Sequence, residues 1–389
     1  LFWGQLYLGH LEILMGLAWA SWVGWSFDVL SQNRTWRAIL GAALASTAQY
    51  SMASMPAFYC TITGVFLWGL LQSSWQPRLG WRGWLNLVQW VGSFLLALAL
   101  CGLLTFHLWS LVLPSRAWCN RPLNQPAYYT SYAGRPQNAL GLLLPHIFDN
   151  TGLGPRSPKA CWASWAPWEG YDYLGACGLV LMCLGLLGQG RLRALALSAF
   201  LALSLLVAWD PSSWLIRLYA SLGLDPVVGQ LRCPSRYLLW FHLYGAVLIG
   251  HGCEAITAGP GFAATLRRGR RFWLGLLGFS AGAVALIQLI SPGSSAWREA
   301  CQWLYQWQSL QGSNSPNRLD FQVLQAMHVN LYAQLLQLFG VSFLGLMLFQ
   351  VLATKRNLTW LIPCLMLCDL YLFVQPWLVL APSTTFGLP

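Results

Sequence analysis

Seven long apolar runs constrain this chain more than anything else in it: residues 87–113, 174–187, 194–209, 238–249, 272–290, 331–353 and 358–380. Runs near 20 residues match a hydrocarbon core about 30 Å thick, which a helix crosses at about 1.5 Å per residue. Lipid offers no partner to an unpaired N–H or C=O, so segments of this length can only be helices or strands of a closed barrel. Runs this long and continuous, without alternation, read as helices. Charge supports the reading. Only 8% of the residues are charged, against roughly 25% in a soluble domain, too few to cover a water-facing surface. The expected fold is an all-α polytopic transmembrane helical bundle of about ten spans, near 9–30, 38–54, 57–72, 84–113, 173–189, 194–209, 237–257, 272–291, 328–353 and 358–380. The second and third are weak, and Pro56 allows them to be one bent hairpin.

The 24 tryptophans recur near the ends of these spans, as an interfacial aromatic belt requires; stacking on a sugar is the competing reading for any one of them. The net charge of +11 does not indicate nucleic acid, because the basic residues lie singly or in small groups between apolar runs. Alternate connections hold Arg34 and Arg37; Arg78 and Arg82; Arg191 and Arg193; Arg267, Arg268, Arg270 and Arg271; Lys355 and Arg356. The positive-inside rule makes those connections cytoplasmic. The long connections 114–172 and 292–327, and both chain ends, then lie on the non-cytoplasmic side of a cytoplasmic (inner) membrane. This gives three regions: N-terminal transmembrane helices over 1–113, an outer loop over 114–172, and C-terminal transmembrane helices over 173–389 with an interfacial segment near 293–326. The outer loop is rich in aromatics and is expected to be a folded lid. Its apolar stretch 140–145 is too short to span and reads as re-entrant or interfacial. Trp297, Trp303, Leu304 and Trp307 recur near helical spacing, as in a helix lying in the interface plane. With no initiator methionine, interfacial residues at the start and a stop just beyond a span, the chain is expected to be a piece of a longer protein.

Eleven cysteines show no metal-ligand spacing. Most fall in spans, where cysteine behaves as a small apolar residue. Cys119 and Cys161 share the outer loop and are candidates for a disulfide in an oxidising compartment, with Cys233 and Cys301 as competing partners.

Several ionisable residues are candidates for chemistry. His10 and Glu12 stand near the outer end of the first span, where they either act as a base and hydroxyl binder or hydrogen-bond another helix. Asp149, Glu169 and Asp172 are the loop carboxylates; turn formation explains Asp149 as well, and interfacial polarity explains the other two. Asp369 lies inside the last span and either has a partner from another helix or is neutral; structural pairing is the favoured reading. Arg232 and Arg236 flank Pro234 at the mouth of the 237–257 span. Guanidinium groups beside a helix start suit a phosphate, and snorkelling anchors are the plainer alternative. Nucleotide P-loop, dinucleotide, zinc-protease and serine-elbow motifs are absent from the sequence.

Gln230-Leu-Arg-Cys-Pro-Ser-Arg-Tyr-Leu, which follows Trp209-Asp-Pro and a short apolar stretch and precedes Gly250-His-Gly, resembles the Arg-x-Pro-x-Arg element of the YfhO-like family of bacterial multispanning membrane proteins. Looser matches are Gly9-His10, Leu111-Val-Leu-Pro-Ser-Arg116, Tyr173-Leu-Gly and Asp369-Leu370, in the family's order along the chain. The resemblance implies a membrane glycosyltransferase of the GT-C type. Such an enzyme would transfer a sugar from a polyprenyl-phosphate carrier to a cell-envelope glycopolymer or glycolipid acceptor on the outer face. Arg232 and Arg236 would hold the carrier phosphate, with Glu169 and Asp172 beside the substrate and Glu12, His10 and Asp149 as catalytic candidates. No cofactor follows from it, and a divalent cation at the phosphate is left open. The family's acidic residues in a first outer loop and its C-terminal outer domain are expected to lie beyond this chain. Two other classes stay open: a transporter or flippase of lipid-linked sugars, and a non-catalytic membrane subunit of a larger complex.

Overall fold

Each of the ten apolar segments folds into a helix. A computed structural model describes residues 11–52, 55–74, 81–108, 140–144, 173–188, 191–209, 221, 238–257, 261–301 and 321–378. The helices are α1 Leu11–Asn33, α2 Trp36–Met52, α3 Met55–Ser74, α4 Trp81–Leu104, α5 Ala176–Gly188, α6 Arg191–Ala208, α7 Leu238–Thr257, α8 Phe262–Leu289, α9 Phe321–Leu352 and α10 Leu361–Leu378. No strand occurs among the described residues. Among the described residues, three helical segments are long and apolar enough to cross a membrane: Gly83–Leu104, Phe262–Leu289 and Met327–Leu352. The other seven helices are shorter or more polar. With 13 residues, α5 is about 20 Å long, short of a hydrocarbon core of about 30 Å.

The chain divides into two compact units, Leu1–Ala133 with Ala199–Leu243, and Gly134–Ser198 with Tyr244–Pro389. In the first, α1 packs on α2 and α3, and α4 packs on α2 and α3. α1, α3 and α4 each give the core one stripe at heptad-like spacing, Val23, Phe27 and Leu30; Phe58, Ile62 and Val65; Trp90, Phe94, Ala97 and Cys101, and α2 adds Ala38, Ile39, Ala42 and Tyr50. The second and third apolar segments are two helices that pair as a hairpin beside Pro56. Pro56 sits in the first turn of α3, where its missing N–H costs nothing. Tyr50 stacks edge-on against Phe58 at 5.1 Å, and the buried Gln49 amide donates to Thr61 Oγ1 at 2.8 Å, so α2 and α3 run antiparallel. Arg34, between α1 and α2, takes a left-handed backbone (φ 44°). Its guanidinium donates to Asn86 Oδ1 at 3.1 Å and Gln89 Oε1 at 2.7 Å, both on α4.

The second unit is organised by the α8–α9 hairpin. A side chain at Gly269 would strike the Phe349 ring, and one at Gly345 would strike Trp273. Each helix therefore carries a socket and an aromatic knob four residues apart, paired head to tail across an antiparallel contact. Trp273 and Phe349 are buried and lie edge to face at 6.4 Å. The α5–α7 contact is closer still. A Cβ at Gly185 would overlap the Leu248 carbonyl, and one at Gly252 the Leu181 carbonyl. This is the small-residue approach by which helices pack where lipid supplies no hydrophobic drive.

The arginines expected in a connection before the 272–291 span lie on helix instead. α8 starts at Phe262, so Arg267, Arg268, Arg270 and Arg271 occupy its first turns. Leu266, Gly269 and Trp273 bury the opposite side of those turns, and no proline interrupts 262–289, so helix is favoured right up to the loop. Residues 140–142 form a single 3₁₀ turn, and Leu144 is buried in the core of this unit. Trp297, on a short helical stretch over 295–301, faces inward and is buried with Cys301. Trp303, Leu304 and Trp307 lie outside the described residues, as do most of loop 114–172 and the pair Cys119 and Cys161.

Candidate functional site: a buried carboxylate at the start of α5

Asp369 is the ninth of the 18 residues of α10, set in Leu-Met-Leu-Cys-Asp-Leu-Tyr-Leu. Its side chain is 1% exposed. A carboxylate there loses its water and must regain hydrogen bonds from protein. The donors come from the beginning of α5. The Tyr173 hydroxyl donates to Asp369 Oδ1 at 2.5 Å, and the Cys177 amide donates to Oδ2 at 3.1 Å. The Ala176 amide also faces the carboxylate.

Local sequence explains the geometry. Residues 173–175 are extended, and Gly175 turns the chain into α5 at φ 84°, a backbone open mainly to glycine. A Cβ there would come within 2.8 Å of Asp369 Oδ2, so glycine is needed both for the turn and for the space. The first N–H groups of any helix lack intrahelical partners, and the positive end of the helix dipole favours an anion. Asp369 thus caps α5 from a different helix. The start of α5 lies level with the middle of α10, at a depth where water cannot finish the job. With these donors engaged and almost no exposure, the carboxylate is suited to holding a helix start and not to reaching a substrate.

A second polar cluster closes the far end of α8. The His328 ring, through Nε2–H, bridges the carbonyls of Ile287 (2.9 Å) and Ile290 (2.8 Å) at the helix end, where the Ile287 carbonyl also accepts from the Ile290 N–H at 3.2 Å. Trp297 stands edge-on to that ring at 5.3 Å, and its indole N–H donates to the Leu324 carbonyl at 2.9 Å. Burial pushes the nearby Cys301 thiol up to about 12. Among the described residues no group of three or more His, Cys, Asp or Glu side chains is placed to hold a metal ion.

Of the residues singled out for chemistry, His10, Asp149, Glu169, Asp172, Arg232 and Arg236 lie outside the described residues. Glu12 is on α1, with its side chain outside the described part of the structure. Asp369 is the one whose partners are visible: the Cys177 amide on α5, and the Tyr173 hydroxyl from the extended residues just before it. The sequence reading missed the partner's identity. Its signal was present: a Tyr-x-Gly at the start of an unusually short apolar run, and a lone carboxylate mid-run elsewhere. Of the Gly250-His-Gly252 pair, Gly252 is the one packing requires; Gly250 faces open space. His251 and Glu254 are one helical turn apart on α7, at 3.5 Å.

No protein-family model matches the chain, and comparison with curated proteins and with solved structures gives no match.

Proposed function

We propose that this chain is a multi-pass membrane glycosyltransferase that passes a sugar from a polyprenyl-phosphate carrier to a cell-envelope acceptor at the non-cytoplasmic face. The observation that carries the reading is the place of Arg232 and Arg236 relative to α7. They precede Leu238, the first residue of a 20-residue helix about 30 Å long. At its other end, the Thr257 carbonyl accepts from the Arg356 guanidinium, within the basic end of the second unit. On the alternation of basic connections along the sequence, the Arg232–Arg236 element would fall on the non-cytoplasmic side. Two guanidinium groups there can grip the departing phosphate, and a carboxylate such as Glu12 or Asp149 would activate the acceptor hydroxyl.

The test is sugar transfer by the full-length chain in proteoliposomes loaded with a polyprenyl-phosphate-linked hexose. Arg236→Ala abolishes transfer while leaving membrane insertion intact; transfer at the unsubstituted rate rejects phosphate binding by this element. A flippase for the same lipid-linked sugars is the second reading. It draws on α5, whose short length and start level with the middle of α10 are what a helix beginning within the membrane would show. Movement of the carrier between leaflets without transfer to an acceptor would select it.

A further inference from the structure

We propose that the basic end of the α8–α9 hairpin is a docking surface for the phosphate headgroups of anionic glycerophospholipids. The 28 residues of α8 make a rod about 42 Å long, while a hydrocarbon core takes up about 30 Å. The apolar stretch from Phe272 onward fills that core, so the turns carrying Arg267, Arg268, Arg270 and Arg271 stand at headgroup height. Arg267, Arg268 and Arg271 are exposed on the side opposite Leu266, Gly269 and Trp273. The hairpin returns Lys355 and Arg356, both exposed, at the end of α9, the end at which Phe349 meets Gly269. Arg356 is already fixed: its Nε and Nη2 donate to the Thr257 carbonyl, and its guanidinium lies 4.7 Å from the centre of the Phe262 ring. A cation held in place this way loses less freedom when a phosphate arrives.

Charge and depth both select the ligand. Among the described residues no carboxylate pairs with these six cations. The acid nearest in sequence to Thr257, Glu254, is engaged with His251. Phe272 and Trp360 are exposed beside the cluster in sequence, as aromatic anchors at the headgroup level are. Arginine binds a phosphate through two parallel N–H···O bonds, so a cluster of them recognises a phosphodiester headgroup better than a zwitterionic one whose own cation competes. Its cations are other residues than Arg232 and Arg236, and its test does not depend on sugar transfer.

The test uses the full-length chain in phosphatidylcholine vesicles doped with spin-labelled phosphatidylglycerol or spin-labelled phosphatidylcholine, with the motionally restricted lipid fraction read by electron paramagnetic resonance. The unsubstituted chain prefers phosphatidylglycerol, and the preference falls as salt is raised, since the screening length shrinks to about 3 Å at 1 M. Each headgroup-level cation contributes up to about fivefold, so R267Q/R268Q/R271Q lowers the preference sharply, to what Arg270, Lys355 and Arg356 still hold. R267K/R268K/R271K keeps part of the preference. Equal association in the unsubstituted chain, a salt-independent preference, or an undiminished preference in the glutamine variant overturns the proposal. If the glutamine variant fails to insert, the lysine variant and the salt series decide it alone.

Discussion

Removing the Tyr173 hydroxyl tests the Asp369 cap most directly, because it deletes one donor and leaves the backbone of α5 untouched. The O–H lies 2.5 Å from Asp369 Oδ1 in a buried setting, and a hydrogen bond to a charged acceptor is worth about 1.5–3 kcal/mol. Tyr173→Phe is therefore expected to cost about 2 kcal/mol. Asp369→Ala strips the Tyr173 hydroxyl and the Cys177 amide of their acceptor at once. Each orphaned donor costs about 1–3 kcal/mol, and the lost anion at the helix start adds up to about 2 kcal/mol, so this change should cost about 4 kcal/mol or more. The decisive quantity is the double variant. If the two groups act through one another, the pair together costs about 1.5–3 kcal/mol less than the sum of the single changes. The assay is reversible unfolding of the full-length chain in mixed detergent micelles, followed by circular dichroism. Additivity within about 0.5 kcal/mol would refute a cap linking α10 to α5, whatever the single variants do.

Three further outcomes follow from the packing and from Cys301. Gly175→Ala combines a strained backbone, about 1–3 kcal/mol, with displacement of the carboxylate; it should lower the unfolding midpoint, and Asp369→Ala in the same chain should remove part of that loss. Gly345→Val forces the Trp273 ring from its socket and is expected to destabilise by about 1–3 kcal/mol, while Gly278→Val, which faces open space, leaves the midpoint within about 0.5 kcal/mol. Burial raises the Cys301 thiol from 9.0 to about 12, so Cys301 resists iodoacetamide at neutral pH until the chain is unfolded. Because the folded value is the higher one, the stability this group contributes is complete below pH 9 and is lost as pH rises towards 12. Alkylation of Cys301 in the folded chain at neutral pH, at the rate of a free thiol, would contradict its burial.

The helices were legible because their signal is local. A run of apolar residues long enough to span leaves few alternatives to helix, and the ends of α6, α7 and α10 fall within a few residues of their expected places. The largest misplacement, at the start of α8, came where the chain carries charge. The run of arginines at 267–271 looks like loop to any reading based on apolarity, yet Leu266, Gly269 and Trp273 keep the helical spacing beneath it. Pairings were less legible. Nothing adjacent in sequence links Asp369 to Tyr173, nearly two hundred residues away, or Gly269 to Phe349. A glycine in an apolar helix reads as neutral until the ring that fills its place is known. The candidate residues for chemistry lie almost wholly in the connections, where sequence offers residue type but little geometry.

The crossed knob-and-socket pair of α8 and α9 also works as a key with two teeth. One ring over one glycine would let the helices slide by a turn and reseat elsewhere. Two, pointing in opposite directions and spaced four residues apart on each helix, seat together at a single vertical offset. Whatever length or sequence joins Cys301 to Phe321, the heights of the hairpin's two ends relative to each other are set by this lock: the arginine-bearing turns at one end, and His328 with Trp297 at the other. Changes in the connecting segment should therefore leave the relative heights of the two ends unshifted.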